Sequence, residues 1–230
     1  MIGVLASRYD TAAPRLVARW AAWDACLLTC EDLSVAGWGY HLANRAAATA
    51  VISGRKIAVE KIRGVVTRLP WVTEHELVSI VPADRAYVAA EMSAFLVFWL
   101  SDLDCPVLNR PTPGSLNGPS WRREQWILTA ARVGMRVPSE RRHVSLSSVT
   151  TPHEQPAAST VTVVGDRCLG QVDNGLLERS RQLAEEANVK LLGIQFSDAS
   201  SDATFLNATL YPEIDCVEVT DAMLQCFGRT

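Results

Sequence analysis

An α/β fold in two units is what this sequence predicts, and three observations predict it. Across the first 138 residues, apolar runs of strand length ("GVLA", "ACLL", "GVVT") alternate with segments whose apolar residues recur at helical spacing. Residues 139–160, "SERRHVSLSSVTTPHEQPAAST", break that alternation with Ser, Thr and Pro and little periodicity. A stretch of that kind and length marks a linker or mobile loop rather than the interior of a domain. Beyond it, "VTVVGDRCLGQ", one helical segment and the pair "LLGIQFS" and "TFLNATLYP" read as a smaller α+β unit over 161–230.

"MIGVLAS" reads as the opening strand. In "DTAAPRLVARWAAWDAC", Leu16, Val17, Trp20 and Trp23 lie near helical spacing, Asp10 or Thr11 is placed to cap, and Pro14 falls in the first turn. "ACLLTCEDLS" supplies a second strand and "GRKIAVEKIRGVVTRLP" two more, a βαβ-like order that favours a parallel sheet. A long helix follows in "DRAYVAAEMSAFLVFWLSDLD" with Asp84 as its candidate cap, then a short strand in "CPVLNRP". "TPGSLNGP" is punctuation, and "SWRREQWILTAARVGM" is a helix with Ser120 as a candidate cap. In the second unit, "VTVVGDRCLGQ" is a hairpin turning at Gly165. Residues 174–190 form an amphipathic helix with Leu176, Leu177, Leu183 and Ala187 inward and Glu178, Arg179, Glu185 and Glu186 outward. "VEVTDAMLQCF" closes the chain as a helix capped by Thr220 or Asp221.

A hydrophobic content of 48% in 230 residues is ample for a packed core. The net charge of −3 provides no broad cationic field, so neither nucleic acid nor an anionic membrane surface is an expected partner. The start lacks the basic region and cleavage site of a secretory signal, and "AFLVFWL" at 94–100 is too short to cross a bilayer. The expected compartment is the cytoplasm, where the six cysteines remain thiols. Cys26 and Cys30 read as buried small hydrophobes, because no CxxC or HxxxH spacing accompanies them.

Several segments together resemble a known family. "VVTRLP", the helix from "DRAYVAAE", "CPVLNRPTPGSLNGP" and "WILTAARVGMRVP" are similar to the pre-ATP-grasp domain of RimK-like ATP-grasp ligases, in the branch that includes peptide maturases. "VTVVGDRCLGQ", the helix after it, "LLGIQF" and "FLNATLYPE" resemble the end of the ATP-binding region of the same family. The resemblance implies a β-rich subdomain between the two parts, with lysines on the ATP phosphates. Here residues 139–160 fill that interval and contain no lysine. It also implies an acid on the "LLGIQF" strand and a Glu-x-Asn pair on the next, since Mg²⁺ takes hard oxygen ligands. The matching positions are Gln195, Asn207 and Thr209, all neutral.

The expectation is therefore a truncated, degenerate ATP-grasp protein, a pseudo-ligase without cofactor or catalytic residues. It would serve as a binding or accessory partner in peptide or natural-product modification, as a homo-oligomer or in complex with a partner enzyme or peptide. Arg68, Asn109 and Arg110, at the strand ends "TRLP" and "NRP", are the candidate ligand-binding residues, with guanidiniums suited to a carboxylate or phosphate. The alternative for the arginines is loop bracing through Asp84, Glu91 or Asp104. His143 and His153 read as solvated loop residues, and Ser115 has no nearby histidine to activate it. An active carboxylate-amine ligase is the competing expectation; its phosphate cations would have to come from Lys56, Lys61 or Lys190. Metal chemistry through cysteines and histidines is a third.

Overall fold

The computed structural model describes residues 1–40, 47–138 and 157–228. The chain forms two compact units, Met1–Ser120 with Glu213–Thr230, and Trp121–Pro212.

The first unit is built on a four-stranded, fully parallel sheet. Its strands are β1 (Ile2–Ala6), β2 (Ala25–Leu28), β5 (Gly64–Arg68) and β6 (Val107–Leu108), in spatial order β2-β1-β5-β6. Helix α1 (Ala12–Arg19) connects β1 to β2, and α2 (Arg85–Asp102) connects β5 to β6. Parallel strands covered on both faces need apolar side chains in both directions. Accordingly every residue of β1 and β5 is buried. Leu5, Leu28 and Val65 pack with Leu96, Trp99 and Leu100 of α2 in one core. A hairpin of β3 (Thr49–Ile52) and β4 (Arg55–Ala58) adds Ala50 and Ile52 to that core, turning at Ser53 and Gly54, both with positive φ. The last helix, α5 (Val217–Phe227), returns to this unit. Phe227 lies edge-to-face with Trp20, ring centroids 6.2 Å apart, and covers Gly64 so closely that a Cβ there would stand 2.1 Å from the ring.

The second unit is an antiparallel sheet of β7 (Ser159–Val164), β8 (Arg167–Leu169), β9 (Leu191–Phe196) and β10 (Phe205–Thr209), in order β10-β9-β7-β8. Helices α3 (Arg123–Arg132) and α4 (Asn174–Glu186) cover one face, where Trp126, Ala130, Leu176 and Leu183 meet Val161, Val163, Ile194 and Phe196. Alternation along β7 and β9 sends these residues to the helices and their neighbours to the other face, while β10 shifts register between Phe205 and Asn207.

The compact units divide the chain differently from the expected boundary at 138. Helix α3 packs on the second sheet and α5 on the first unit, because Trp126 and Phe227 each complete a core formed by residues distant in sequence. Most of the expected linker, with His143 and His153, lies outside the described residues.

Three expected caps are corrected. Asp84 makes no capping bond to α2. At α3, Arg122 rather than Ser120 precedes the first turn, and its N–H donates to Oε1 of Gln125 at 2.9 Å. Thr220 and Asp221 fall inside α5, which starts earlier, and Thr220 is fully buried with its hydroxyl bonded to the Val217 carbonyl. The Asp10 cap of α1 is present: Oδ1 accepts from the N–H groups of Ala12 at 2.9 Å and Ala13 at 3.2 Å. Asp173 caps α4 through the N–H of Gly175. Cys26 and Cys30 lie on and just after β2, and both are buried.

Candidate functional site

The parallel sheet of the first unit brings the chain segments after β1, β5 and β6 to one edge, the place where open α/β sheets collect ligand-facing loops. Arg68, the last residue of β5, is buried there. Its Nε donates to Oδ2 of Asp10 at 2.8 Å, with the two side chains only 5% and 6% exposed. Since the other oxygen of Asp10 holds the first turn of α1, this carboxylate ties β5 to the helix start. Asp10 is not among the bracing partners expected from sequence, and nothing in the local sequence marks a pair separated by 58 positions.

Arg110 faces a different element. Its guanidinium donates to the carbonyls of Leu100, Ser101, Leu103 and Cys105, at 3.1–3.4 Å, collecting acceptors at the C-terminal end of α2. A cation is favourable at that end of a helix, where carbonyls point outward. Asn109 is buried and donates through Nδ2 to the Asn117 carbonyl at 3.2 Å, while Ser115 Oγ donates to Asn117 Oδ1 at 2.7 Å. Arg68 and Arg110 are thus held by separate parts of the fold. At the same edge, Glu76, which the sequence reading did not single out, is buried and accepts from Ser7 Oγ and from the N–H of Arg8. A buried glutamate bonded to the residues after a first parallel strand has no short-range sequence signature.

In the second unit, Gln195, Asn207 and Thr209 come together. Gln195 and Asn207 are direct cross-strand partners on β9 and β10, and Thr209 follows two residues on, opposite Gly193. Period-two alternation from Asn207 onward puts all three on the sheet face away from α3 and α4, where each is half-buried. Gly193 has a packing reason: a Cβ there would stand 3.1 Å from Thr209 Cγ2 and 3.2 Å from Pro212 Cβ. Thr209 Oγ1 accepts from the N–H of Tyr211 at 3.1 Å.

Side-chain amides and a hydroxyl can bind a ligand through neutral hydrogen bonds. They supply no negative charge to balance a divalent ion, whose usual protein sites are built from carboxylates. These residues do not fit a Mg²⁺–nucleotide site. Among the described residues no group of three His, Cys, Asp or Glu is arranged to hold a metal ion, and no helix is long and apolar enough to cross a membrane. All three lysines are exposed; Lys56 and Lys61 belong to the first unit and Lys190 directly precedes β9.

Neither a protein-family model nor a curated protein sequence matches the chain. Solved structures do. The ATP-grasp ligase PsnB complexed with a minimal precursor superposes with a TM-score of 0.70 at 10% identity, covering 98% of each chain. The macrocyclase MdnC bound with precursor peptide MdnA from Microcystis aeruginosa MRC gives 0.65 at 10% identity, covering 100% of both. A RiPP-associated ATP-grasp ligase from Chryseobacterium gregarium, solved with ADP and a leader and core peptide, gives 0.64 at 9% identity over 99% of this chain and 96% of that one. The chain therefore has the fold of the RiPP-associated ATP-grasp ligases.

Proposed function

We propose that this protein is a pseudo-ligase: an ATP-grasp-like chain that no longer activates carboxylates and is kept for binding a peptide or a partner enzyme in peptide modification. The observation that carries this reading is the register of β9 and β10, which gathers Gln195, Asn207 and Thr209 on one face where the resemblance calls for metal-binding acids. The lysine-free interval at 139–160, read as the remnant of a lost nucleotide-binding subdomain, supports it independently. Peptide as partner rests on the fold neighbours, which were solved with precursor, leader and core peptides. The protein acts in the cytoplasm, where its thiols stay reduced.

A thermal-shift series with ATP and Mg²⁺, paired with light scattering, tests the proposal. A ligand that binds only the folded state raises Tm by mass action. The expected result is an unchanged Tm at millimolar nucleotide and a complex that forms only when the partner is added. A second reading, an active ligase with a rearranged site, draws on the likeness to a structure holding ADP. A saturable, Mg²⁺-dependent rise in Tm selects it.

A further inference from the structure

Helix α2 departs from the usual surface-helix pattern. It is 18 residues long, and Arg85, Glu91 and Asp102 are its only charged side chains. Leu96, Trp99 and Leu100 bury one side, yet the outer side is apolar too, with Tyr87 69% and Phe98 44% exposed. A helix apolar all round is normally covered on every side. Within the first unit, Ala86, Ala90 and Ala94 of this helix line a groove of about 810 Å³ together with Trp71, Glu74 and Pro113. Trp71 is 39% exposed and lines the groove.

We propose that this groove docks an apolar peptide segment carrying a lysine or arginine next to its apolar residues. The alanines let another backbone approach closely, and Trp71 offers a flat apolar surface that also attracts a cation. Charge selects the occupant. Glu74 lines the groove and Glu91 is exposed on α2, while the guanidinium of Arg85 donates to the carbonyls of Val78 and Ile80. Like carboxylates oppose a second copy of the chain on this face, and a basic partner meets complementary charge. The proposal rests on the peptide-binding reading and gives it a location.

The test is fluorescence anisotropy with two fluorescein-labelled helical peptides, identical in their leucine stripe and carrying either lysine or glutamate beside it. The lysine peptide should bind saturably and the glutamate peptide should not. Ala90→Arg, a good helix former at an exposed position, should weaken binding by about tenfold or more while circular dichroism stays unchanged. Glu74→Lys should reverse the preference between the peptides. Absence of saturable binding, equal binding of both peptides, or an unaffected Ala90→Arg variant would overturn the proposal. A dimer in sedimentation that Ala90→Arg dissolves would overturn it too, by making this face a self-association surface. ATP and Mg²⁺ are titrated into the same samples. Nucleotide binding alongside the expected peptide pattern would refute the pseudo-ligase and leave the groove standing.

Discussion

Replacing Gly64 by alanine tests whether the C-terminal helix closes the first unit. The added Cβ would stand 2.1 Å from Phe227 Cδ1 and 2.6 Å from Cε1 and Cγ, closer than any real carbon contact. The obstacle is an aromatic ring that is 4% exposed and packed edge-to-face with Trp20, so it must swing away rather than flex. Overpacking of this kind costs about 1–3 kcal/mol, offset by roughly 0.4–1 kcal/mol because alanine restricts the unfolded chain. Phe227→Ala removes the ring and leaves a cavity, for about 3–5 kcal/mol. The two effects share one contact and cannot add. In the Phe227→Ala background, Gly64→Ala should be neutral or slightly stabilising, a coupling of about 1–3 kcal/mol. Urea denaturation of the wild type, both single variants and the double variant measures it. Equal cost of Gly64→Ala in both backgrounds would refute the placement of α5 against β5.

Three further outcomes follow from the same structure. Asp10→Asn keeps an acceptor for the first turn of α1 but removes the charge facing buried Arg68, and should lower the urea-unfolding free energy by about 3–5 kcal/mol; Asp10→Leu with Arg68→Met should lose less than the two single changes summed. The Cys30 thiol is pushed up to about 12, chiefly by burial and then by the Glu76 and Asp32 charges. The native state therefore holds this proton more tightly than the unfolded chain, and its contribution is intact below about pH 9 and lost as pH rises toward 12. At pH 8, iodoacetamide mass mapping should find Cys216, which is exposed, labelled first and Cys30 last; early Cys30 labelling contradicts its burial. Introducing Gln195→Asp, Asn207→Glu and Thr209→Asn together should tighten Mn²⁺ binding by about tenfold or more in paramagnetic relaxation titrations, because two carboxylates then share one sheet face. No gain would contradict the proposal that this face corresponds to a metal site.

The parts of this fold that were legible in sequence are those written at short range. Apolar runs of strand length placed β1, β5, β7, β9 and β10, and they put Gln195 and Asn207 on strands whose register then made them partners. Asp10 declared itself as a cap because it stands two residues before the first turn of a periodic segment. The hairpin of β3 and β4 passed unnoticed as a pair, although Ser53-Gly54 is the kind of dipeptide that turns one; the alanine-rich approach to β3 hid its strand character. What failed to show depends on distance along the chain. Nothing near Arg68 names Asp10, nothing near Arg110 shows that the last carbonyls of α2 converge on it, and nothing in "VEVTDAMLQCF" says that Phe227 covers Gly64. The boundary moved for the same reason, since α3 follows the first unit in sequence while Trp126 and Ala130 belong to the core beneath β7 and β9. Helix caps misled where side-chain preference was read without the backbone: Ser120 and Thr220 are good capping types standing before and inside the actual helix starts.

The most direct test of the central claim is isothermal titration of ATP with Mg²⁺ into the purified chain, repeated with the peptide partner present. The pseudo-ligase proposal, which puts neutral Gln195, Asn207 and Thr209 at the metal-binding positions, predicts no saturable heat in either titration and no phosphate release. Saturable, Mg²⁺-dependent heat accompanied by phosphate release would contradict the pseudo-ligase and place a working nucleotide site in this chain.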